Sequence, residues 1–137
     1  MAAEGWRRAS RDASGAGPVN MIQAQFYNQD CLVYDLEDSV PPGEKDAARF
    51  LVYNILRRHR PRDKHIVIRV NQIHSIYFDE DIEAGVRARP DAIRLPKVES
   101  PEDVHKACAK IEAVEKKAGL EIGGIKLWCN LESYLGV

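Results

Sequence analysis

The sequence predicts an α/β fold with a parallel sheet, on two observations. Short apolar runs of the kind that form buried strands alternate with segments that have the 3.6-residue period of a helix. Strands and helices that alternate at this spacing form right-handed βαβ units, which build a parallel sheet. Charged or polar residues also follow each of the four predicted strands. Because ligands bind at the C-terminal ends of parallel strands, the sequence predicts one site at the C-terminal face of a barrel.

The first predicted strand, residues 31–34, is an apolar run that fits a strand buried on both faces. Three carboxylates, Asp35, Glu37 and Asp38, follow within four residues. Crowded carboxylates repel one another and lose solvation when buried, so we expect a metal ion or basic side chains to compensate them. The alternative is that these residues cap the next helix and form an acidic loop that is only solvated.

A helix is predicted over residues 44–58, after the break at Pro41, Pro42 and Gly43. Its buried stripe consists of apolar residues at helical spacing: Ala47, Ala48, Leu51, Val52 and Ile55. Lys45 and Arg49 lie one turn apart near the helix start, where the helix dipole disfavours cations. We therefore expect the positive charges of both side chains to compensate the negative charges of the preceding carboxylates.

The second predicted strand, residues 65–71, carries Arg69 and Asn71 on one face at its C-terminal end. An arginine in an apolar strand is not expected to be buried unpaired. Its guanidinium suits a substrate carboxylate or a phosphate held by two hydrogen bonds. The alternative is a structural ion pair to Asp35 or Glu37.

Two further helix–strand units complete the predicted order. A helix over residues 79–87 precedes a third strand, 91–97, which ends at Lys97. Ser100 and Pro101 begin a helix that runs to about Lys117. A last strand, residues 125–131, leads to Glu132.

The N-terminal residues 1–20 are rich in Ala, Gly, Ser and Arg and show no hydrophobic periodicity. We expect a mobile or poorly packed segment there and a partial barrel domain over residues 21–137. That domain begins with a short helix, residues 21–27, with Met21, Ile22 and Phe26 on one face.

Composition excludes several functional classes. The net charge is −1 and both signs are well mixed, which argues against nucleic-acid binding. No apolar run reaches membrane-spanning length, so a soluble protein is expected. Cys31, Cys108 and Cys129 lack the spacing of zinc ligands, and Cys31 and Cys129 are interpreted as reduced core thiols. These cysteines favour a reducing compartment, which we take to be the cytoplasm.

Four motifs resemble one known family. They are YDLEDSVPPGEKDAARFLVYNIL, VIRVN, AIRLPKVESPEDV and LESYLGV, and they occur in the family's order and spacing. The family is the HpcH/HpaI aldolases, and the resemblance is to its citrate lyase beta subunits. It covers residues from about 21 to 137.

This resemblance implies a (β/α)₈ TIM-type barrel that uses Mg²⁺ to cleave citryl thioesters into oxaloacetate and an acetyl thioester. By position, Asp35, Glu37 and Asp38 resemble the catalytic acids, and Arg69 resembles the arginine that binds the oxaloacetate carboxylate. Glu132 resembles the first metal carboxylate. The expected supporting residues are Lys45, Arg49, Asn71 and Lys97.

The resemblance also implies partners and leaves alternatives. A citrate lyase beta subunit acts with an alpha subunit and an acyl carrier protein, or on CoA thioesters, and the full-length family forms homo-oligomers. The alternatives are a malyl-CoA or citramalyl-CoA lyase of the same family, or a truncated assembly module without catalysis.

The sequence departs from the family pattern at both ends. The usual opening strand, of the type RSxLFVPG, is replaced by the Ala/Gly/Arg-rich segment, and the second metal carboxylate, an Asp on the sixth strand, has no counterpart. We therefore expect an incomplete half of the barrel, about strands two to five with their helices, with little or no lyase activity alone.

Overall fold

Five parallel strands form one sheet in the computed structural model, which describes residues 9–136. The strands are β1 (Ser10–Ser14), β2 (Cys31–Asp35), β3 (His65–Arg69), β4 (Ala92–Leu95) and β5 (Lys126–Cys129). The α-helices are α1 (Pro18–Gln23), α2 (Lys45–His59), α3 (Phe78–Arg87) and α4 (Pro101–Lys117). Short 3₁₀ turns, Ala24–Phe26 and Pro42–Glu44, follow α1 and precede α2.

The strands lie side by side in the order β1-β2-β3-β4-β5, and every neighbouring pair is parallel. Because parallel crossovers are right-handed, a sequential order winds every helix onto the same face of the sheet. This is the winding of a (β/α) barrel, whereas a doubly wound sheet reverses its strand order and has helices on both faces. The predicted α/β fold of TIM-barrel type, present as a part of a barrel, is confirmed.

The two faces of the sheet are packed differently. Leu32, Tyr34, Ile66 and Ile68 point to the helices and belong to the main core, together with residues of α2, α3 and α4. Alternate residues point to the opposite face, where a smaller cluster contains Cys31, Val33, Val67 and Ala92, with Trp128 packed against it. Asp35 and Arg69 continue this second alternation, so their side chains lie at the C-terminal edge of the face without helices.

The N-terminal segment differs from the prediction. Ser10–Ser14 pairs with β2 along its whole length, so the predicted absence of an opening strand is wrong. Residues 10–14 contain no β-branched or aromatic side chain, and only Ala13 is buried among them, so no periodicity marks this strand. Gly15 donates its N–H to the Asp35 carbonyl, and a Cβ at Gly15 would lie 2.8 Å from that oxygen. The prediction for residues 1–8 lies outside the described residues.

Two smaller predictions are also corrected. In the N-terminal helical region Met21 is buried, but Ile22 and Phe26 are exposed, with Phe26 at 83%. Cys31 is buried as predicted, whereas Cys129 is exposed. Cys129 is exposed because its strand, β5, has one neighbouring strand, β4, in the described part of the chain.

Within residues 9–136, no helix combines the length and the apolar character needed to cross a membrane.

Candidate functional site at the strand ends

An ion pair between Asp35 and Arg69 joins the C-terminal ends of β2 and β3. Arg69 donates from Nε and Nη2 to the two carboxylate oxygens of Asp35, at 2.7 and 2.8 Å. The sheet sets this pairing, because the two residues are register partners. The backbone N–H groups of Glu37 and Ser39 donate to the same carboxylate at 2.9 and 3.0 Å. Asp35 is therefore held as an anion by donors from two elements.

The protonation of this pair is fixed by its contacts. Burial acts to raise the pKa of Asp35, but the hydrogen bonds from Arg69, Ser39 and Glu37 outweigh burial and lower the pKa to about 2. The hydrogen bond to Asp35 raises the pKa of Arg69. Of the two interpretations that the sequence leaves open for Arg69, the structure contains the ion pair to Asp35. Contact of Arg69 with a substrate carboxylate stays a prediction.

Glu37 is buried between two cations. Its Oε1 lies 3.1 Å from Lys97 Nζ, and its Oε2 lies 3.4 Å from Arg69 Nη1. The Oε2 atom is buried and has no hydrogen-bond donor among the described residues. Burial raises the pKa of Glu37, although the hydrogen bond from Lys97 opposes the increase. A carboxyl group with a raised pKa and an unused oxygen is suited to exchange a proton with a ligand.

Lys97 connects the end of β4 to this acid. Its backbone has a φ of 51°, in the left-handed region that is costly for a residue with a side chain. Its Nζ also lies 3.9 Å from Asp38 Oδ1, and the Asp38 side chain is 66% exposed. We call Asp35, Glu37, Asp38, Arg69 and Lys97 the strand-end cluster. It brings together all three predicted catalytic acids.

Lys45 supports the cluster through the backbone, not through the carboxylates. Its buried ammonium donates to the carbonyls of Leu36 and Glu37 at 2.8 and 2.7 Å. Its third hydrogen bond goes to Asn71 Oδ1 at 2.9 Å, and Asn71 Nδ2 in turn donates to the Leu36 carbonyl. Burial lowers the pKa of Lys45, with nearby acids, Asp81 foremost, opposing the decrease. Lys45 and Asn71 thus fix the path of the chain just after β2.

Arg49 has different partners from those that the sequence suggests. It binds Asp46 on its own helix, and its Nη2 and Nη1 contact Glu80 and Asp81 on α3 at 2.6 and 3.0 Å. The expectation that Arg49 answers the carboxylates at residues 35–38 is therefore corrected. Arg49 points from α2 toward α3, because the stripe that contains Ala48 and Val52 faces the sheet.

Asp81 is the residue of this region that the sequence reasoning missed. It is fully buried, and it accepts hydrogen bonds from Asn71 N and Nδ2 at 2.8 and 2.6 Å. Burial raises its pKa, with the Asn71 hydrogen bonds opposing the increase. A signal did exist: Asp81 falls on the buried stripe of α3, next to Ile82 and one turn from Phe78 and Gly85. An acid at such a position needs a buried partner.

Glu132, the predicted metal ligand, is exposed beyond the end of β5. Its hydrogen bond within the described residues is weak, because Lys97 N lies 3.4 Å from its Oε1. Residues 9–136 contain no group of three or more His, Cys, Asp or Glu that could hold a metal ion. The carboxylate oxygens here suit Mg²⁺ in kind, but the Lys97 ammonium already occupies the cation position beside Glu37. The described residues therefore include carboxylates that could bind Mg²⁺, but these carboxylates are not grouped into a metal site.

An open groove of about 330 Å³ lies beside Glu37, Asp38 and Lys97 of the strand-end cluster. Its lining also includes Lys45 at the start of α2, Asn71 after β3 and Tyr77 just before α3. The Lys45 ammonium lies 5.5 Å from the centre of the Tyr77 ring. The groove is large enough for a small polar ligand and exposes both anionic and cationic groups.

Curated relatives align with almost the whole chain. It is 38% identical to citrate lyase subunit beta of Escherichia coli K12 over 131 residues, which are 96% of this chain and 43% of that protein. It is 37% identical to the mitochondrial citramalyl-CoA lyase of Homo sapiens over 100 residues, 72% of this chain and 29% of that protein. The chain thus spans less than half of the length of the curated relatives that it matches.

Solved structures share the fold. A malate synthase magnesium/glyoxylate complex from Haloferax volcanii superposes with a TM-score of 0.82 at 18% identity, over 96% of this chain and 44% of that one. The citrate lyase beta subunit of M. tuberculosis, complexed with oxaloacetate and magnesium, gives a TM-score of 0.60 at 20% identity, over 90% and 57% of the two chains. At these identities the likeness concerns the fold alone.

The family assignment rests on a match that covers most of the chain. The model of the family described as HpcH/HpaI aldolase/citrate lyase matches residues 13–137, a range that includes every residue of the strand-end cluster. With relatives that are lyases by name, this match identifies the chain as a lyase-family sequence. The chain belongs to the HpcH/HpaI aldolase/citrate lyase family.

Proposed function

We propose that this chain provides the acid–base and keto-acid-binding part of a carbon–carbon lyase that cleaves citryl thioesters. The observation that carries the proposal is the position of Glu37, a buried acid with a raised pKa between Arg69 and Lys97. The identity with citrate lyase subunit beta favours the citryl substrate. The products would be oxaloacetate and an acetyl thioester.

The reaction sets clear requirements on the site. The hydroxyl group of the citryl thioester loses its proton as the neighbouring C–C bond breaks, and its carbon becomes the keto carbon of oxaloacetate. The electron pair of the broken bond passes to the acetyl thioester as an enolate, which then takes up a proton. A site for this reaction needs a group that moves a proton, a cation for the keto-acid carboxylate, and positive charge near the developing anion.

The strand-end cluster contains a candidate for each requirement. Glu37 Oε2 has no hydrogen-bond donor among the described residues, and we assign it the proton transfer. Arg69 is fixed by Asp35 through Nε and Nη2, and we assign the binding of the keto-acid carboxylate to its Nη1, which lies 3.4 Å from Glu37 Oε2. Lys97 supplies a second positive charge at the edge of the groove. Asp38, which is exposed, is assigned to water or substrate at the same edge.

Magnesium is part of this proposal as a Lewis acid for the keto-acid oxygens. Of the described residues, Glu132 is the proposed ligand. One carboxylate and waters hold Mg²⁺ weakly, so we propose that further ligands are needed beyond those in residues 9–136. The solved relative that is complexed with oxaloacetate and magnesium supports the choice of ion for the family.

A second substrate is favoured by one observation. The identity with human citramalyl-CoA lyase, 37%, is close to that with the citrate lyase beta subunit. The same chemistry on citramalyl-CoA would release pyruvate in place of oxaloacetate. The two substrates differ in the carboxylates that the keto-acid half carries, so Arg69 and Lys97 are the residues on which the choice would depend.

We also propose the partners and the location implied by this function. A citryl substrate would be carried on an acyl carrier protein or on CoA, and an alpha subunit and further copies of the beta subunit would complete the enzyme. The name of the E. coli relative, a subunit, supports assembly with other chains. An odd number of cysteines without the spacing of a metal site favours a reducing compartment, and we propose the cytoplasm.

The test is to measure ligand binding and turnover on the same samples. Calorimetry with oxaloacetate, with pyruvate and with each plus Mg²⁺ reports whether the keto-acid half-site exists. Dehydrogenase-coupled assays with citryl-CoA, citramalyl-CoA and malyl-CoA report keto acid release. We expect Mg²⁺-dependent oxaloacetate binding that is lost in Arg69→Ala and reduced in Glu132→Gln.

The matched control is Arg87→Ala, an arginine bound to Glu83 on the exposed side of α3. It should leave binding unchanged. Pyruvate binding in preference to oxaloacetate would move the proposal to citramalyl-CoA. A folded chain that binds neither keto acid would overturn the proposal in favour of an assembly module.

A further inference from the structure

We propose that Asp81 is a positioning residue for Glu37, although the two side chains do not touch. In this proposal Asp81 acts through Asn71 and Lys45, which hold the backbone of residues 36 and 37 in the conformation that directs Glu37 into the groove. The inference rests on the proposed function, because it gives Glu37 the proton-transfer role. It names a residue on α3, outside the groove, on which that role depends.

The network begins at a fully buried carboxylate. Asp81 Oδ2 accepts from both Asn71 N and Asn71 Nδ2, at 2.8 and 2.6 Å. Its other oxygen accepts from Arg49 Nη1 at 3.0 Å. All three donors reach it from other elements, so Asp81 fixes the end of β3 against α2 and α3.

The Asn71 side chain can take only one orientation in this network. Lys45 has only donors, so it requires the amide oxygen, and ionised Asp81 has only acceptors, so it requires the amide nitrogen. The observed contacts agree: Lys45 Nζ donates to Oδ1 at 2.9 Å, and Nδ2 donates to Asp81. The amide dipole thus lies between a buried cation and a buried anion, and the position of one charge depends on the other.

The network ends on the backbone that carries Glu37. Lys45 uses its remaining two N–H groups on the carbonyls of Leu36 and Glu37, at 2.8 and 2.7 Å. Asn71 Nδ2 donates to the same Leu36 carbonyl at 2.9 Å. Every donor of the Lys45 ammonium is therefore used, and none goes to a carboxylate. The role of Lys45 is to hold this backbone, and the nearest compensation of its buried charge comes through Asn71 from Asp81.

Asp81→Asn tests the proposal with little change of shape. The new side-chain amide has one oxygen and one NH₂ group. In one orientation its NH₂ group faces the two Asn71 nitrogens, and in the other it faces Arg49. In both orientations, a hydrogen-bond donor therefore faces another donor. The buried Lys45 charge also loses the largest of the carboxylate interactions that compensate it. We expect hydrogen exchange of the amides in residues 36–40 to become at least tenfold faster.

Glu115→Gln is the matched control. Glu115 is equally buried and also holds a loop through two backbone N–H groups, those of Gly123 and Ile125 at 2.8 and 3.0 Å. This loop precedes β5 and lies at the other end of the strands. Glu115→Gln should speed exchange in residues 120–126 and leave residues 36–40 unchanged. Asn71→Ala is the second variant: it keeps the Asp81–Arg49 pair, removes the bridge to Lys45, and should reproduce the effect on residues 36–40.

Turnover gives a separate readout. With the substrate on which the unmodified protein is active, Asp81→Asn should lower kcat at least tenfold with KM changed less than threefold, while Glu115→Gln leaves both unchanged. If the unmodified protein alone shows no turnover, the proposed function is still decided by keto-acid binding, and hydrogen exchange alone decides whether Asp81 positions residues 36 and 37. Exchange at residues 36–40 that is no faster in Asp81→Asn and Asn71→Ala than in Glu115→Gln would overturn the positioning role.

Discussion

The two sides of the strand-end site differ in how deeply their side chains are buried and in how many hydrogen bonds hold them. On the β2–β3 side, Asp35, Arg69 and Lys45 are buried or nearly so, and each makes two or more hydrogen bonds to fixed partners. On the β4–β5 side, the Lys97 side chain is 44% exposed, and Glu132 is exposed with one long contact. One side is part of the folded core, and the other lies at its surface.

This difference indicates which functions each side can perform. A buried pair such as Asp35–Arg69 has lost its solvation during folding, so it can present a guanidinium atom to a ligand without rearrangement. Exposed groups such as Glu132 can move to meet a metal ion but do not select its geometry. We therefore expect substitutions on the β2–β3 side to act on stability and function together, and those on the β4–β5 side to act on function alone.

Arg69→Ala should produce the largest loss of stability. It leaves the Asp35 carboxylate, whose side chain is 2% exposed, without its ion-pair partner. Removing one member of a buried pair costs about 3–5 kcal/mol, and the 16% exposure of Arg69 places this case near about 3 kcal/mol. Denaturant unfolding followed by circular dichroism measures the change.

The control for this prediction is Arg87→Ala. Arg87 also donates from two nitrogens to one carboxylate, that of Glu83, but both side chains are 37% exposed. Pairs of this kind contribute about 0.3–0.5 kcal/mol. If Arg69→Ala and Arg87→Ala lowered the free energy of unfolding equally, burial would not explain the difference between the two sides of the site.

Acid should remove the contribution of the Asp35–Arg69 pair to stability only at low pH. Because the pKa of Asp35 is lowered from 3.8 to about 2 on folding, its contribution to stability is complete above pH 3.8 and is lost as the pH falls toward 2. The contribution is about 2 kcal/mol, since a tenfold change in proton affinity corresponds to about 1.4 kcal/mol. Urea unfolding at a series of pH values between about 6 and about 2 measures it.

Asp35→Asn should remove this part of the pH dependence, whereas Asp38→Asn, at an exposed position, should retain it. An unfolding free energy for Asp35→Asn that still falls as steeply as that of the unmodified chain over the same acidic range would contradict the role of the Asp35–Arg69 pair.

The sequence predicts the buried side of the site in part. Asp35 and Arg69 could be placed together because each follows an apolar strand and an unpaired charge is not expected there. The connection from Lys45 to Asp81 could not be predicted, because it depends on how α3 rotates against β3, and helical periodicity does not fix that rotation. Asp81 nevertheless falls on the buried stripe of α3, so a search for acids on apolar helix faces would have found it.

The N-terminal strand, β1, could not be predicted from the pattern of its side chains. Residues 10–14 form β1 by pairing with the exposed edge of β2, and their own side chains contribute little to burial. A strand that is stabilised by backbone pairing alone has no signal in its side chains. Gly15 is the local indication, since a side chain there would meet the Asp35 carbonyl.

Lys97→Met should have an intermediate effect, visible in the protonation of Glu37. The Lys97 hydrogen bond and charge oppose the increase that burial causes in the pKa of Glu37. Removing them should raise that pKa further, while stability falls by less than about 1 kcal/mol because the ammonium is partly exposed. Carboxyl ¹³C NMR titration of Glu37 measures the change. Lys117→Met, which removes an exposed partner of Glu83, should leave the Glu37 titration unchanged.

Glu132→Gln should have the smallest effect on stability, because Glu132 belongs to the exposed β4–β5 side of the site. Glu132 is exposed and accepts only a 3.4 Å contact from Lys97 N among the described residues, so its substitution should change the free energy of unfolding by less than about 0.5 kcal/mol. If it is the metal ligand that we propose, the same substitution should weaken the Mg²⁺ dependence of oxaloacetate binding, measured by calorimetry. Lost stability would place Glu132 with the structural residues of the β2–β3 side. Unchanged stability together with unchanged Mg²⁺ dependence would remove it from the site, because an exposed carboxylate without a structural contact then has no role left to explain its position.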